Sequence, residues 1–545
     1  MRGVQAWRLI FDSIRQWSRR RAKTAAQLRA LWAGSNDVQR PFELIRMFHD
    51  YRGDDPANVV DDKTWSDLEM DEVFKRMDRT VSCVGRQYLY ALLRRWEDEQ
   101  SELDRREALC SRFRSDPTLR ETIQRELLRL RQDDAYFVVT FLFEELPEKP
   151  PVHILFYLSS IAFFASLVLG FFFHAFFMAA ALLAVLNLVI NVVYGRRVFQ
   201  YFDNLTFLST LLTVAGRLSR QVAADQIREV DVLRKHRRLA RRLNKRVFWL
   251  CVDESRLGDL SAALMNFLNL FGLTKLVAFV RSLEDLRSRR QEIREIYEAV
   301  GSLDALLAAA SYRDSLGMAT RPAFNRQGRI DVTGIYHPLL ANPVANSFRL
   351  ESPSALVTGS NLAGKTTFIK TIGVNLILSR TLLICLAERA DLPDVRVRAS
   401  IQHDDRVVDG HSYYSREIEQ IGAFAVLPRG RYLFLIDEIF RGTNTIERIA
   451  IARATIRYLS ARNLVLVTTH DVELQDLLAE SSRMFHFSEV VEDGRYFFDY
   501  RLRPGPCGAG NAIKLIELRG FPDEVVEEAR RFAAGRRGPE EGSIH

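Results

Sequence analysis

The sequence predicts a mostly helical region interrupted by a transmembrane helical hairpin, followed by an α/β domain built on a parallel sheet. Three observations lead to this prediction. A glycine-rich turn at residues 359–366 separates an apolar strand pattern from a helical pattern. A run of apolar residues ends in an Asp-Glu pair at 437–438. Residues 150–195 contain no Asp, Glu, Lys or Arg.

The glycine-rich turn has the spacing of a phosphate-binding loop, G-x-x-x-x-G-K-[ST], between a strand and a helix. In such a loop backbone N–H groups surround phosphate oxygens, and the helix N-terminus behind them favours negative charge. Lys365 would reach the β- and γ-phosphates of a nucleotide, and Thr366 would hold Mg²⁺. The predicted nucleotide-binding residues are Gly359, Ser360, Asn361, Leu362, Ala363, Gly364, Lys365, Thr366 and Thr367.

A second strand pattern ends in two carboxylates. Five consecutive apolar residues at 432–436 predict a fully buried strand of a parallel sheet. Because strand ends in such sheets face the ligand crevice, Asp437 and Glu438 are expected beside the phosphates. Asp437 suits an outer ligand of Mg²⁺, and Glu438 suits the group that orients and deprotonates the attacking water. The plainer alternative is a strand that ends in acidic residues at the surface.

A third strand pattern, residues 464–469, ends in His470. By itself, a histidine that follows a strand is more often structural than catalytic. In the order phosphate loop, strand with Asp-Glu and strand with His, it resembles the histidine switch of ABC-type ATPases. There a neutral imidazole donates a hydrogen bond to the γ-phosphate.

Taken together, these and other segments resemble the MutS family of DNA mismatch repair ATPases. The segments that carry the resemblance are residues 336–338, 358–368, 404–417, 437–445, 468–474 and 520–529. Residues 65–93 are similar, less closely, to the start of the family's helical core. The resemblance implies a helical core followed by an ABC-type P-loop ATPase domain that uses ATP and Mg²⁺.

The resemblance also implies a homodimer. In the family each nucleotide lies between one chain's phosphate loop and the partner chain's signature segment, so half of the electrostatic stabilisation comes from the second chain. By position, Ser412 would contact the γ-phosphate bound by the partner, and Glu417 would brace that segment. Residues 441–444 would lie at the subunit interface. The implied catalytic residues are Glu438, Lys365, His470 and Ser412, and the implied Mg²⁺ ligands are Thr366 and Asp437.

The sequence departs from the family pattern at several positions. Ala363 and Ser360 stand where a third glycine and a proline are usual, and both are compatible with a phosphate loop. Phe440 replaces a usual small residue, which predicts a repacked subunit interface. Near 342–346 there is no clear counterpart of the aromatic residue that stacks on adenine, so the adenine contact is left unassigned.

The uncharged stretch 150–195 is too long for one membrane span and suits two helices of about 20 residues each. We divide it into Ile154–Phe173 and Phe176–Tyr194, with a turn near residues 170–174. A buried core hairpin of a large soluble protein is the alternative. The apolar stretch 262–280 contains a lysine and two asparagines and is predicted to be a buried core helix.

Basic residues flank the predicted hairpin. Lys149 precedes it and Arg196 follows it, which places both ends on the cytoplasmic side by the positive-inside rule. The expected location is therefore the inner (cytoplasmic) membrane, with the ATPase domain in the cytoplasm and membrane lipid as a partner. The scattered, odd number of cysteines, 5 in all, indicates neither disulfides nor zinc.

The net charge of +8 is concentrated in two basic blocks. The block at 19–23 lies among tryptophans, which favours a segment on the membrane surface. The block at 234–246 allows three interpretations: phosphate contacts with nucleic acid, attraction to anionic lipid headgroups, or a solvated helix face.

Two functions from different classes follow from these observations. In the first, a membrane-tethered MutS-like ATPase binds mismatched or branched DNA in an ATP-gated way. In the second, the same ATPase gates a protein or lipid partner without DNA, and an ATP-binding scaffold without turnover is a third alternative. The mismatch-reading parts of the family have no counterpart in the roughly sixty residues before Trp65.

The predicted organisation has six parts. They are a basic amphipathic segment (1–60), the first part of the helical core (61–149), the transmembrane hairpin (150–195), the second part of the core with the basic helix (196–325), the ATPase domain (326–535) and a flexible tail (536–545).

Overall fold

In a computed structural model the described residues up to 315 are mostly helical, and an α/β region with two β-sheets follows. The order of a helical part and an α/β part agrees with the prediction. The structure describes residues 40–144, 148–199, 202–222, 226–248, 259–360, 363–401, 413–440, 443–492, 495–506 and 520–535, together with residues 26, 29, 30, 32, 34 and 517. Most of the predicted N-terminal basic segment and the predicted tail lie outside these residues.

The chain divides into two compact units. The first contains Met1–Asp54, Met77–Leu92 and Arg105–Ser315, and the second contains Asp55–Arg76, Leu93–Asp104 and Leu316–His545. Residues 61–76 and 93–104, which the sequence analysis assigned to the helical core, therefore belong to the unit that holds both sheets.

The described helices before the sheets are numbered in chain order. They are α1 (Phe42–Arg52), α2 (Asp62–Asp67), α3 (Met70–Met77), α4 (Cys83–Arg94), α5 (Gln100–Ser115), α6 (Pro117–Leu127), α7 (Val138–Phe143), α8 (His153–Leu169), α9 (Ala175–Phe199), α10 (Phe202–Gln221), α11 (Arg228–Lys235), α12 (Arg237–Phe248), α13 (Asp259–Gly272), α14 (Thr274–Ser288) and α15 (Arg290–Ser315).

The core of the first unit surrounds α15, whose residues from Val300 to Tyr312 are all buried. Its Asp304 carboxylate accepts hydrogen bonds from the backbone N–H groups of Val81 (3.1 Å) and Ser82 (2.8 Å), just before α4 begins. These bonds provide partners for two buried N–H groups in the segment that leads into α4. Burial raises the pKa of Asp304 to about 6.

The predicted apolar hairpin is present as α8 and α9, which pack against each other. The turn between them occupies residues 170–174, as predicted. Many of its apolar side chains are exposed, among them Ile161 (66%), Met178 (70%) and Leu182 (70%). The alternative of a buried core hairpin does not fit this exposure.

One described helix is long and apolar enough to cross a bilayer alone, namely Ala175–Gly195 within α9, and only 17% of it is buried. The other helix of the hairpin, His153–Leu169, is apolar but has only 17 residues. The structure therefore supports one candidate span in the hairpin rather than the two that the sequence analysis predicted.

The apolar stretch 262–280 differs from its prediction as a buried core helix. It is broken at Leu273, which has a left-handed backbone (φ +53°), and the helices on either side are bent by 67°. Before the break, Leu264 and Phe267 are exposed. Only together are the helices Ala263–Gly272 and Thr274–Ser288 long and apolar enough to cross a bilayer.

The second unit contains the remaining described elements. They are β1 (Ala323–Asn325), β2 (Ile330–Ile335), β3 (Asn346–Leu350), β4 (Ser354–Thr358), α16 (Lys365–Leu382), β5 (Arg389–Pro393), β6 (Arg396–Ser400), α17 (Tyr413–Ala425), β7 (Tyr432–Asp437), α18 (Thr445–Ser460), β8 (Leu464–Thr468), α19 (Val472–Leu478), β9 (Arg483–Glu492), β10 (Arg495–Pro504) and α20 (Asp523–Gly535).

The larger sheet has the strand order β10-β9-β4-β8-β7-β6. All its neighbours pair in parallel except the β9–β10 hairpin. Strands β4, β7 and β8 are fully buried, which explains their continuous apolar runs. The carboxyl ends of these three strands meet at one edge of the sheet, because Val357 and Asp437 both pair with Thr468.

The edge strand β6 of this sheet is covered by α2. The backbone N–H of Ala399 donates to Thr64 Oγ1 (3.1 Å), and that of Ile401 donates to Asp67 Oδ2 (2.8 Å). A helix that satisfies an edge in this way protects it from pairing with other chains. The contact explains why residues 55–76 belong to this unit.

Candidate functional site

The predicted phosphate loop joins β4 to α16. Gly359 has a φ of +133°, and a Cβ there would lie 2.5 Å from the carbonyl oxygen of Phe487. Gly364, at the N-cap of α16, is left-handed with a φ of +101°. Both glycines of the motif are therefore required by backbone geometry and close packing. Asn361 and Leu362 lie outside the described residues.

The loop presents groups that suit a phosphate. Lys365 is 1% exposed, and its Nζ donates to the carbonyl oxygen of Gly359 at 2.5 Å. Ser360 Oγ is buried and has no hydrogen-bond partner among the described residues. A buried ammonium and a buried hydroxyl beside a helix N-terminus fit an anion. Ala363 is buried, and Thr367 Oγ1 is on the first turn of α16.

The predicted Mg²⁺ ligands are brought together. Thr366 Oγ1 donates to Asp437 Oδ2 at 2.8 Å, and Thr468 Oγ1 donates to the other oxygen, Oδ1. Asp437 is 9% exposed, so its orientation is fixed by these two hydroxyls. A hydroxyl and a carboxylate are oxygen ligands of the kind Mg²⁺ prefers, with nucleotide phosphates and water completing its shell. The sequence analysis did not identify Thr468.

Glu438 directly follows β7 in a strained backbone conformation. Its φ is +51°, and its N–H donates to the carbonyl oxygen of Thr468 at 3.0 Å. Non-glycine residues in this region are held there by their surroundings and cluster at functional sites. His470 Nδ1 lies 3.7 Å from Glu438 Oε1, and the His470 side chain is 45% exposed. The two predicted catalytic residues are therefore neighbours.

Glu417 connects α17 to this strand end. It is 2% exposed, and its Oε1 accepts a hydrogen bond from the backbone N–H of Phe440. Phe440 also has a left-handed backbone, with a φ of +59°. The predicted γ-phosphate contact, Ser412, lies outside the described residues, as do residues 402–411.

The position of His470 is supported by its neighbour in the chain. Asp471 accepts two hydrogen bonds from Arg448, at 2.7 and 3.1 Å, and its own N–H donates to Thr469 Oγ1 at 3.0 Å. A bidentate pair of this kind is geometrically specific. The sequence analysis did not identify Arg448, because an arginine within a helix carries no local signal of its partner.

Tyr500 is an aromatic residue beside the loop that the sequence analysis did not identify. A Cβ at Gly364 would lie 3.4 Å from Tyr500 Cδ1. The tyrosine is 48% exposed and has a φ of +54°. Asn346 fixes its backbone by donating to the Tyr500 carbonyl oxygen at 3.0 Å and accepting from Leu502 N at 2.8 Å. The sequence shows several aromatic residues in β10, but it does not show that one of them lies beside the phosphate loop.

The segment predicted at the subunit interface is partly described. Arg441 and Gly442 lie outside the described residues. Asn444 is exposed and caps α18 by accepting from the N–H of Glu447 at 3.0 Å. Phe440 is 4% exposed and packs in the core of its own chain, and the repacked interface stays a prediction.

Comparisons with known proteins match the part of the chain that contains this site. The sequence model of the family described as MutS domain V matches residues 355–535. A DNA mismatch repair protein MutS from Natronomonas pharaonis is 31% identical over 265 residues, which cover 47% of this chain and 31% of that protein. The protein of the same description from Thermus thermophilus is 29% identical over 271 residues, covering 49% and 33%. The chain therefore spans about a third of the length of these relatives.

Proposed function

The chain belongs to the MutS family, and from this premise we propose that it is a membrane-tethered ATPase that hydrolyses Mg²⁺-bound ATP at a site shared by two copies of the chain. The observation that carries the proposal is the arrangement of Thr366, Asp437 and Thr468 beside the buried Lys365. This arrangement joins a phosphate cradle to an oriented carboxylate at the ends of adjacent strands.

Each residue has a distinct task in the proposed reaction. Backbone N–H groups of residues 359–364 and the Lys365 ammonium bind the β- and γ-phosphates. Thr366 and Asp437 would hold Mg²⁺, which neutralises charge on the phosphate oxygens when bound. Glu438 orients the attacking water and accepts its proton. His470 donates a hydrogen bond to the γ-phosphate and lies next to Glu438.

Tyr500 is the proposed adenine contact. Its ring is exposed and lies beside Gly364, where the loop turns into α16. An aromatic ring stacks on a purine base irrespective of hydrogen-bond pattern, and each such contact contributes about 1–3 kcal/mol. The adenine contact, which the sequence analysis left unassigned near residues 342–346, is therefore assigned to Tyr500 of β10.

The dimer follows from the resemblance and from an exposed surface. Ser412 would reach the γ-phosphate bound by the partner chain, and residues 441–444 would lie at the interface. Next to them, Ile446 is 83% exposed at the start of α18. An exposed apolar residue next to the predicted interface segment fits a surface that a second copy covers.

The membrane tether is supported by the exposure of the hairpin. Apolar residues on α8 and α9 face outward, and one stretch of α9 is long enough to cross a bilayer. Hydrocarbon is the environment that such a surface favours. Basic residues at 149 and 196–197 support cytoplasmic ends for the hairpin, with the ATPase domain in the cytoplasm.

DNA is the proposed partner that the ATPase cycle controls. Relatives that match the chain are described as DNA mismatch repair proteins. A row of exposed cations on α12 suits phosphate contacts: Arg237, Arg238, Arg241, Arg242 and Lys245. The same row suits anionic lipid headgroups, which favours the second candidate function, a membrane ATPase that gates a lipid or protein partner without DNA.

A catalytic variant tests the ATPase proposal. In the full chain purified in detergent, Glu438→Gln should keep the Kd for ATP and lower kcat by about 10²–10⁴-fold, because the general base is lost. Glu480→Gln removes an exposed carboxylate of the same unit and should change neither quantity. Equal turnover of Glu438→Gln and the unmodified chain would overturn the proposed site.

DNA binding is tested separately. ATP turnover should rise when mismatched or branched duplex DNA is added, and the effect should weaken with salt because phosphate contacts are electrostatic. Replacing Arg237, Arg238 and Arg241 by glutamine should reduce the stimulation. If DNA has no effect while anionic vesicles stimulate turnover in an α12-dependent way, the second candidate function replaces the first.

A further inference from the structure

Helix α13 packs on the apolar hairpin through its carbonyl groups. Asn187 Nδ2 on α9 donates to the carbonyl oxygen of Phe271 at 2.6 Å, and Asn191 Nδ2 donates to that of Asn269 at 3.0 Å. Because the residue number rises along α9 while it falls along α13, the two helices run antiparallel. The C-terminal end of α13 therefore lies at the level of Asn187, near the middle of α9.

The hairpin also supplies a donor to the last residue of α13. Ser160 Oγ on α8 donates to the carbonyl oxygen of Gly272 at 2.6 Å. A Cβ at Gly272 would lie 2.5 Å from Phe164 Cζ, so a glycine permits this close approach. Three of the last four carbonyl groups of α13 thus accept hydrogen bonds from side chains of the hairpin.

These bonds matter because the last four carbonyl groups of a helix have no partner within it. In water these carbonyl groups are hydrated. In hydrocarbon the protein must supply their hydrogen-bond donors, because each carbonyl group without a donor costs several kcal/mol. The donors themselves are linked, since Ser159 Oγ donates to Asn187 Oδ1, and Asn187 is 0% exposed. These side chains and carbonyl groups form a connected polar network between apolar helices.

The outer face of α13 is apolar where it approaches this network. Leu264, Phe267 and Leu270 are 57%, 40% and 38% exposed. Residues 260–274 contain no Asp, Glu, Lys or Arg. Among the described exposed positions of α13, Asn266 is the only polar side chain.

Charged groups mark where this apolar region ends. Lys149 Nζ, just before α8, lies 2.7 Å from Glu284 Oε2 on α14. Arg246 of the basic helix α12 pairs with Asp285, the next residue of α14. The far end of α14 therefore lies level with the basic flank of the hairpin, where lipid headgroups would begin.

We propose that α13 is a third membrane-embedded helix, which enters the bilayer part-way and ends on the hairpin, with lipid acyl chains covering its face at Phe267 and Leu270. The inference rests on the proposed membrane tether. With 14 residues α13 is about 21 Å long, too short to cross a hydrocarbon core of about 30 Å. The hydrogen bonds from the hairpin to its last carbonyl groups allow the helix to end inside the hydrocarbon core.

Nitroxide labels test the depth of α13 in the full chain in phosphatidylcholine–phosphatidylglycerol nanodiscs. The background carries Cys251→Ser and Cys507→Ser, because Cys83, Cys110 and Cys385 are buried thiols whose pKa burial raises to about 12. Labels are placed at Leu264→Cys, Phe267→Cys and Leu270→Cys. A label at Val185→Cys on α9 serves as the reference for the hairpin, and a label at Val344→Cys in the second unit serves as the water-exposed reference.

The nitroxides at Phe267 and Leu270, like the one at Val185, should collide more often with oxygen than with a water-soluble nickel chelate. The ratio of oxygen to nickel collisions should rise from Leu264 to Leu270. Val344 should show the reverse. If the label at Val185 is exposed to lipid while the labels at Phe267 and Leu270 are exposed to water, this inference is overturned and the proposed membrane tether stands. Water exposure at Val185 as well overturns the tether itself and this inference with it.

A second measurement tests the network. Asn187→Leu removes the donor to Phe271 and should shift the Leu270 label towards the water-exposed ratio, because α13 can no longer end in hydrocarbon. Asn266→Leu, on the exposed face of the same helix, should leave that ratio unchanged. An unchanged Leu270 label in Asn187→Leu would show that the bonds do not hold α13 in the bilayer.

Discussion

The buried carboxylate of Glu417 on α17 accepts a hydrogen bond from the backbone N–H of Phe440, two residues after the proposed catalytic Glu438. Glu438 and Phe440 both have left-handed backbones, which the surrounding structure must stabilise. Helix α17 is thereby linked to the carboxyl end of β7. Movement of one is expected to shift the other.

This link leads to the first prediction. Glu417→Ala should lower kcat about 10–100-fold with little change in the Kd for ATP, because a hydrogen bond to a charged group contributes about 1.5–3 kcal/mol and positions Glu438. Glu417→Gln keeps an acceptor at the same place and should retain most of the activity. Steady-state ATP turnover and nucleotide binding on the three proteins measure the difference. A Glu417→Ala protein with normal kcat would contradict the positioning role.

The second prediction concerns Mg²⁺. Thr468→Val keeps the shape of the side chain but removes the hydroxyl that donates to Asp437 Oδ1. Loss of a group that orients a metal ligand typically lowers metal affinity 10–100-fold, so the Mg²⁺ concentration for half-maximal turnover should rise by about that factor. Thr468→Ser retains the donor and serves as the matched control. Titration of ATPase activity with Mg²⁺ checks this, and identical titration curves for all three proteins would refute it.

The third prediction concerns adenine. Tyr500→Ala should raise the Kd for ATP by about 5–150-fold, as expected for a lost base–aromatic contact of about 1–3 kcal/mol. Tyr500→Phe keeps the ring and should bind like the unmodified chain. Phe497→Ala removes another exposed ring from the same strand and is the control for general damage to β10. If Phe497→Ala weakens binding as much as Tyr500→Ala, the assignment fails.

The fourth prediction is a pH dependence of stability in the second unit. His337 is buried, and burial lowers its pKa from 6.5 to about 4. The folded unit therefore binds fewer protons than the unfolded chain between these values. The stability contributed by the neutral imidazole is full above pH 6.5 and is lost as the pH falls towards 4. The free energy of unfolding should decrease by about 2 kcal/mol between pH 7 and pH 5 from this residue.

The variant His337→Asn isolates this contribution. Urea unfolding of the full chain, followed by the fluorescence of the buried Trp65 and Trp96 in the same unit, should show a smaller change between pH 7 and pH 5 than in the unmodified chain. Other acidic groups titrate in both proteins and cancel in the comparison. Equal changes in both proteins would exclude His337 as the source.

Much of the candidate site was readable from local sequence. The spacing of Gly359 and Gly364 specifies a left-handed turn before a helix, and the apolar run before Asp437 specifies a buried strand. These features depend on backbone geometry and on side-chain periodicity, which act over a few residues. The hairpin turn at 170–174 was predictable for the same reason.

Other features depend on contacts between residues far apart in the chain, which no local pattern encodes. Thr468 on Asp437, Glu417 on Phe440 and Tyr500 beside Gly364 each join elements that meet only when the sheet has formed. Residues 262–280 were predicted to be a buried core helix because a lysine and two asparagines interrupt the apolar run. The exposed face of α13 became visible only once its neighbours were placed. Burial belongs to the packed structure rather than to a segment.

By itself, the sequence determined the phosphate loop, the order of the three strands that carry Asp437, Glu438 and His470, and the uncharged hairpin, because each depends on residues adjacent in the chain. The tertiary structure decided which hydroxyls orient Asp437, that Phe440 is buried in its own chain, and that α13 ends on Asn187 and Ser160. These outcomes depend on which surfaces remain uncovered after packing, and packing is a property of the whole unit.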